Sequence, residues 1–288
     1  VTLRKPEWIL NFPDYKMLDP GNPQVREYIR EIVADVVTRY DLDGIHFDDY
    51  FYPYGPKVSN EDSLSYALYH NNITNIDDWR RYNINSLMAE LNEIIKAVKP
   101  RVKFGISPFG IVRNEFAGTS GFNSYDILYC DPLNWIENKS VDYVLPQLYW
   151  EVGHEKADYA KLLPWWASVT MDVHLYIGEY SGRFTSPNSK GKPSELGDHL
   201  RMTREYNTIH GSVYFSSSSI TRNAAGLADS MKMDWFADPA FPPLMAWKDA
   251  VPPNAPHGVT AEKTERGIAV TWKQPLPASD GDLPYGYI

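Results

Sequence analysis

Short apolar segments alternate with amphipathic stretches of helix length along most of the chain, and this alternation restricts the fold more than any other feature. The apolar segments are "EWILNF" (7–12), "DGIHFDD" (43–49), "VKFGISPF" (102–109), "VDYVLPQLYW" (141–150), "VHLYIGEY" (173–180) and "GSVYFSS" (211–217). Each has the length and the β-branched, aromatic content of a buried strand. Between the first two, "NPQVREYIREIVADVVTRY" (22–40) carries Pro at a helix start and sets Val25, Ile29, Ile32, Val33 and Val36 on one stripe. Similar helices are predicted over 77–100, 156–170 and 194–209. Strands separated by helices return in the same direction, so the pairing must be parallel. No Gly-rich phosphate loop follows any strand, which turns the reading from a nucleotide-binding sheet toward a barrel. About six strand–helix units can be counted where a closed (β/α)8 barrel has eight. The expected fold is therefore an α/β TIM barrel whose first two strand–helix units are absent from this chain.

Charge narrows the partners. The formal net charge of −9 over 288 residues excludes a nucleic-acid partner, because phosphate contacts need a dense basic face. No apolar run approaches the roughly 18 residues needed to span a bilayer. The opening "VTLRKPEWIL" lacks the charged start and long apolar core of a signal peptide. The single cysteine, Cys130, excludes an intrachain disulfide and a multi-cysteine metal site, and reads as a small buried hydrophobe. Aromatic residues make up 14% of the chain, a surplus that suits a protein handling sugar rings. Nothing in the sequence signals an oligomeric state.

The last fifth changes character. After "WFADPAFPPLMAWKDAVPPNAP" the chain turns to alternating β pattern punctuated by Pro and Gly. The reading is a barrel domain over 1–240, a Pro-rich linker over 241–253, and a separate segment over 254–288. That segment resembles the opening strands of a fibronectin type III module, a partial β-sandwich, with Trp272 in the place of the core tryptophan and "DGDLPYGYI" leading into a third strand.

Strand parity selects the candidate site residues. Along 43–50, Ile45 and Phe47 point one way and His46, Asp48 and Tyr50 the other. The polar set cannot face an apolar helix layer, so it faces the barrel interior and its carboxyl-terminal mouth, where barrel active sites sit. The same parity groups Gln147, Tyr149 and Glu151, with Leu148 and Trp150 toward the helices. Ser107 and Asn11 follow on their own strands. Glu179 falls on the outward parity beside Tyr180, but a bend at the strand end would bring it in. Tyr50, Tyr52 and Trp150 stand at strand ends as stacking platforms, whereas Trp165 and Trp166 belong to a helix core.

Two carboxylates across a cleft are the minimum equipment of a glycosidase, one to protonate the leaving oxygen and one to attack or to activate water. Asp48 supplies the nucleophile or base and Glu151 the acid. Asp49 is an alternative acid, because its immediate neighbour tends to raise its pKa. No cofactor is called for. Two other readings stay open: a carbohydrate-binding barrel without turnover, and a metal-dependent deacetylase using His46, Asp48 and Asp49 as ligands. The second suffers from geometry, since adjacent residues on a strand point to opposite faces.

"RKPEWIL", "LDPGNPQVREYIREIVADVVTRYDLDGIHFDDYFYP", "GISPFGIVRN", "VDYVLPQLYWEVGH" and "GSVYFSS" together resemble the glycosyl-hydrolase-like family 10 group of bacterial secreted proteins and lipoproteins. The resemblance spans about residues 4 to 240. It implies a TIM-barrel glycoside hydrolase outside the cytoplasm, in the periplasm, on the outer membrane or secreted. Peptidoglycan glycan strands stripped of their stem peptides are the substrate it suggests. More distantly, "DGIHFDD" is similar to the fourth-strand segment of α-amylases, where an aspartate at the position of Asp48 is the nucleophile. The strand "VKFGISPFG" departs from those enzymes in lacking their acid.

Overall fold

The computed structural model describes residues 4–55, 57–170, 172–186 and 192–284. It divides into two compact units, residues 1–241 and 242–288.

The first unit is built on a five-stranded parallel sheet, β3 (Gly44–Phe47), β4 (Lys103–Ile106), β5 (Tyr143–Val144), β6 (His174–Tyr180) and β7 (Ile209–Phe215), in sequence order. Helices connect each strand to the next, as the alternation requires. Two further strands, β1 (Ile9–Asn11) and β2 (Lys16–Leu18), form an antiparallel hairpin outside that sheet. This corrects the reading of 7–12 as a parallel strand. Pro13 and Asp14 make a tight turn, closed by the Phe12 N–H donating to the Tyr15 carbonyl at 3.0 Å, and a turn that short returns the chain antiparallel. Among the described residues the parallel strands thus number five, and β3 and β7 are the edges of their sheet.

The long helices form where local chemistry places them. Asn22 caps Pro23–Arg39, its side chain accepting from the Gln24 N–H at 3.0 Å, with Pro23 in the first turn. Asn75 caps Ile76–Val98 by accepting from the N–H groups of Asp77 and Asp78, two acids that also suit the helix dipole. Asp158 caps Tyr159–Val169. Outward parity along the sheet supplies the core: Ile45 and Phe47 pair in register with Phe104 and Ile106, and Ile106 continues through Val144 to Leu175. Phe104, Ile106, Val144, Leu175 and Ile177 are fully buried under the helices, among Leu91, Ile95, Trp135, Leu163 and Trp166. Cys130 is buried there too.

Inward parity supplies a polar interior. His46 pairs with Gly105, Gly105 with Tyr143, and Tyr143 with His174. A Cβ on Gly105 would stand 2.2 Å from the Tyr143 ring. Glycine therefore lets that ring lie across β4 and set its hydroxyl 3.0 Å from His46 Nδ1.

In the second unit, β8 (His257–Thr264) and β9 (Gly267–Lys273) form an antiparallel hairpin with every residue exposed. Trp272 is 43% exposed, so the described residues do not close a sandwich core around it. The end of the expected third strand, residues 285–288, lies outside the described residues. Among the described residues no helix is long and apolar enough to cross a membrane.

Candidate active site

The site lies at the carboxyl ends of the parallel strands. β3 stops at Phe47, and the next two residues, Asp48 and Asp49, leave the ladder. Asp48 is exposed, whereas Asp49 is 1% exposed. One residue of parity separates an acid in the cleft from an acid beneath it.

Asp48 is held from two sides. Its Oδ1 accepts from Gln147 Nε2 at 2.9 Å and from the Asp49 backbone N–H at 3.1 Å. Its Oδ2 has no hydrogen-bond partner among the described residues, so one oxygen is fixed and the other is available. Gln147 is buried and also donates to the Ser107 carbonyl at 2.9 Å. Ser107 is 5% exposed, and its hydroxyl donates to the Leu145 carbonyl. Gln147 and Ser107, both sequence candidates for the site, thus lie buried beneath the cleft, where Gln147 links Asp48 to the Ser107 carbonyl.

Asp49 accepts a hydrogen bond from the Tyr54 hydroxyl. Burial, with a contribution from the neighbouring Asp48 charge, lifts its carboxyl to a pKa of about 6 against the opposing pull of that hydrogen bond. Burial and the contact with Asp49 push the Tyr54 phenol upward in turn, so it stays a donor. Tyr54 was missed in the sequence. Its only signal is the aromatic run "DYFYPY" after the acids. The run is anchored from below: Tyr52 is fully buried, edge-on to Tyr129, and its hydroxyl reaches Asp62. Asp62 is gripped by Arg80 through two 2.7 Å contacts. Tyr52 is a core residue, contrary to its expected stacking role.

The other candidates divide. Tyr50 is 71% exposed beside the pair, and its ring meets Tyr54 edge-on. From Tyr54 the rings continue through Phe122 and Phe109 to Trp150, which is partly exposed. Tyr149 is half-buried; burial first, then the nearby Asp48 and Asp49 charges, raise its phenol pKa. Burial lowers the pKa of His46, which faces Tyr143. Asn11 sits on the β1–β2 hairpin, its side chain turned to the Ile9 carbonyl of its own strand.

Glu151 and Glu179 differ most from expectation. Glu151 forms a 2.9 Å ion pair with Arg183. Partial burial raises its pKa, but hydrogen bonding from its own backbone N–H and from Arg183 outweighs that and holds it below the usual carboxylate range. A carboxyl held ionised is a poor proton donor. Glu179 keeps its outward parity and is 1% exposed, so no bend brings it to the cleft. Its Oε1 accepts from the Tyr159 hydroxyl at 2.9 Å and its Oε2 lies 2.8 Å from His199 Nδ1. Burial raises its pKa.

His46, Asp48 and Asp49 do not converge as metal ligands. Among the described residues, the only carboxylate or imidazole group close enough to share an ion is Asp249, Asp280 and Asp282, in the second unit.

A groove of about 410 Å³ runs from His46, Asp48 and Tyr50 to Leu18, Ile29 and Leu87 along the free side of β3. A second space of about 410 Å³ lies over the inner face between His46, Tyr143, Tyr176 and Val213.

The chain is 38% identical over 269 residues to the glycosyl hydrolase YngK of Bacillus subtilis, an alignment covering 88% of this chain and 52% of that protein. It is 35% identical over 230 residues to the glycosyl hydrolase DigH of Escherichia coli K12, covering 75% of this chain and 52% of that one. The chain thus spans about half the length of the curated relatives it matches. Among solved structures, the glycoside hydrolase domain of PgaB (BpsB) from Bordetella bronchiseptica superposes with a TM-score of 0.51 at 12% identity, over 76% of this chain and 66% of that domain, a likeness of fold. The family description "Glycosyl hydrolase-like 10" matches residues 1–194, and the chain belongs to that family.

Proposed function

We propose that this chain carries the catalytic face of a glycoside hydrolase that cleaves a bacterial polysaccharide, with the glycan strands of peptidoglycan as substrate. The observation that carries the reading is the division of labour within Asp48–Asp49. One carboxylate stands in the cleft with a free oxygen, and its neighbour, buried beneath it against Tyr54 and lifted to about 6, holds a proton below that pH. A glycosidase needs both states at one site. Asp48 Oδ2 faces the anomeric carbon or the attacking water, while Gln147 fixes Oδ1. Asp49 replaces Glu151 as the proton source, with Tyr54 fixing its orientation. A cell-wall glycan is met outside the cytoplasmic membrane, so the protein works in the periplasm, on the outer membrane or after secretion. The segment over 254–288 is read as the opening of a fibronectin type III module on the strength of its sequence pattern alone.

The test is hydrolysis of peptide-free peptidoglycan glycan strands, followed by chromatography of the products. Asp48→Asn is nearly isosteric and should keep fold and glycan binding while losing at least about 10³-fold in turnover, because a neutral amide can neither attack nor stabilise an oxocarbenium-like transition state. Near-normal turnover by Asp48→Asn overturns the assignment. Binding without hydrolysis by the parent protein moves the reading to a carbohydrate-binding barrel.

A further inference from the structure

The carboxylate chemistry leaves one group of rings at the mouth unused. Tyr180 ends β6 and Phe215 ends β7, and the two are directly paired in register, so they share the inward face. The bridge between Gln147 and Gly178 continues this level to Tyr149, two residues on. The three rings touch one another: Tyr149 to Tyr180 at 5.4 Å, Tyr180 to Phe215 at 5.5 Å, and Tyr149 to Phe215 at 6.3 Å with planes 20° apart. Yet Phe215 is 56% exposed and Tyr180 38%. A single exposed ring is unremarkable, but three in contact beside a charged pair make a patch of the kind that marks a binding surface.

The patch is also preset. The fully buried Ser181 hydroxyl donates to the Phe215 carbonyl at 3.0 Å, tying the end of β7 to the residue after Tyr180. A Cβ on Gly182 would stand 2.9 Å from Tyr180 Cε2, so glycine leaves the ring its place. The nearest charges favour a neutral ligand. Asp48 and Asp49 lie close enough to Tyr149 to act on its phenol, and Arg183, three residues after Tyr180, is engaged by Glu151.

We infer that Tyr149, Tyr180 and Phe215 form a stacking platform for a neutral pyranose ring of the glycan, beside the bond to be cleaved, with Phe215 supplying the open apolar face. The inference rests on the polysaccharide reading above and adds the subsite and the charge class of the sugar it takes. The apolar face of the sugar lies on the rings, and the two phenols stand at the edge to meet its hydroxyls. An acidic sugar is disfavoured by repulsion from the Asp48 carboxylate.

The test is calorimetric titration of the Asp49→Asn protein, in which turnover is suppressed and the Asp48 charge is kept, with chitohexaose, a soluble neutral β-linked probe, and with an oligogalacturonate of equal length. Chitohexaose should bind and the oligogalacturonate should bind at least about 5-fold more weakly. Adding Phe215→Leu keeps an apolar side chain but removes the flat face, and should weaken chitohexaose about 5-fold, while Phe215→Trp should retain the affinity. The melting temperature should stay put in both, since the ring is mostly exposed. Chitohexaose affinity unchanged by Phe215→Leu, equal affinity for both oligosaccharides, or no chitohexaose binding at all overturns the platform. Turnover separates this from the catalytic reading. A parent protein that hydrolyses glycan with KM and kcat indifferent to Phe215→Leu loses the platform and keeps the catalysis. One that binds through Phe215 without hydrolysis keeps the platform and loses the catalysis.

Discussion

The ends of β3 and β6 both carry a carboxylate, and the two meet opposite fates. β3 is an edge strand that stops before its acids, so Asp48 reaches the cleft and Asp49 is buried against Tyr54. β6 is an interior strand that runs straight through Glu179, so that side chain stays behind the sheet, against Tyr159 and His199 from the covering helices. Residue type does not distinguish a working acid from a structural one. Parity and the point at which the strand stops decide it, and they can be separated by substitution.

The largest effect is expected at Asp49. Asp49→Asn removes the group that holds the proton, and loss of a general acid lowers turnover by about 10²–10⁴-fold. The same change should stabilise the fold at neutral pH. A carboxyl whose pKa rises from 3.8 to about 6 on folding binds more protons in the native state, so native stability is fullest below the unfolded pKa and falls as pH rises through 6. Ionising Asp49 in place therefore costs on the order of 3 kcal/mol at pH 7. Urea unfolding of parent and Asp49→Asn between pH 4 and pH 8 should show the parent losing stability over pH 4–6 and the variant not. Turnover of the parent should decline above pH 6 in step. Parallel stability curves would remove Asp49 as the proton holder.

Glu179 should behave in the reverse way. Glu179→Ala leaves the Tyr159 hydroxyl and the buried His199 Nδ1 without their partner and opens a void, a loss of about 3 kcal/mol in stability. Among molecules that remain folded, kcat should change by less than about 3-fold, as for a group that never touches substrate. Glu179→Gln, which keeps an acceptor for Tyr159, should recover much of the stability. A collapse of kcat in a well-folded Glu179→Gln protein would place Glu179 in the mechanism and weaken the contrast with Asp48.

What the sequence made legible was local or periodic. The helix read over 22–40 forms over Pro23–Arg39, because its stripe and its Asn22–Pro23 cap lie within one segment. Parity alone places His46 on the inward face, since a period of two needs no knowledge of neighbours. The hairpin at Ile9–Leu18 is hidden because its second strand, Lys16–Leu18, is too short to show a period. Burial of Tyr52 depends on Asp62 and Arg80, and the charge state of Glu151 depends on Arg183, 32 residues away. Those contacts exist only after the loops have folded over the strands, and no spacing in the chain announces them. Phe215 is hidden by the same rule that selects Tyr149: on "GSVYFSS" the polar set is Ser212 and Tyr214, yet Tyr214 pairs with the outward Glu179 and the apolar Phe215 takes the inward face.

The smallest effect is expected at Glu151, where sequence reasoning placed the acid. Its partner Arg183 lies 2.9 Å away and both side chains are about one-third exposed, so the pair is a solvated rim contact of the sort that contributes about 0–1 kcal/mol. Glu151→Gln should leave the melting temperature within a degree or two and lower turnover on glycan strands by less than about 5-fold. The comparison of two substrates sharpens this. A true proton donor is needed for a poor leaving group and dispensable for a good one, so its removal cripples natural glycan and spares activated aryl glycosides. Asp49→Asn should show that split and Glu151→Gln should show none. If Glu151→Gln instead loses more than about 100-fold on glycan and recovers on an aryl glycoside, the proton comes from the loop that follows β5. The Arg183 pair would then have to open when substrate binds, and Asp49 would be left as the buried neighbour that tunes Asp48.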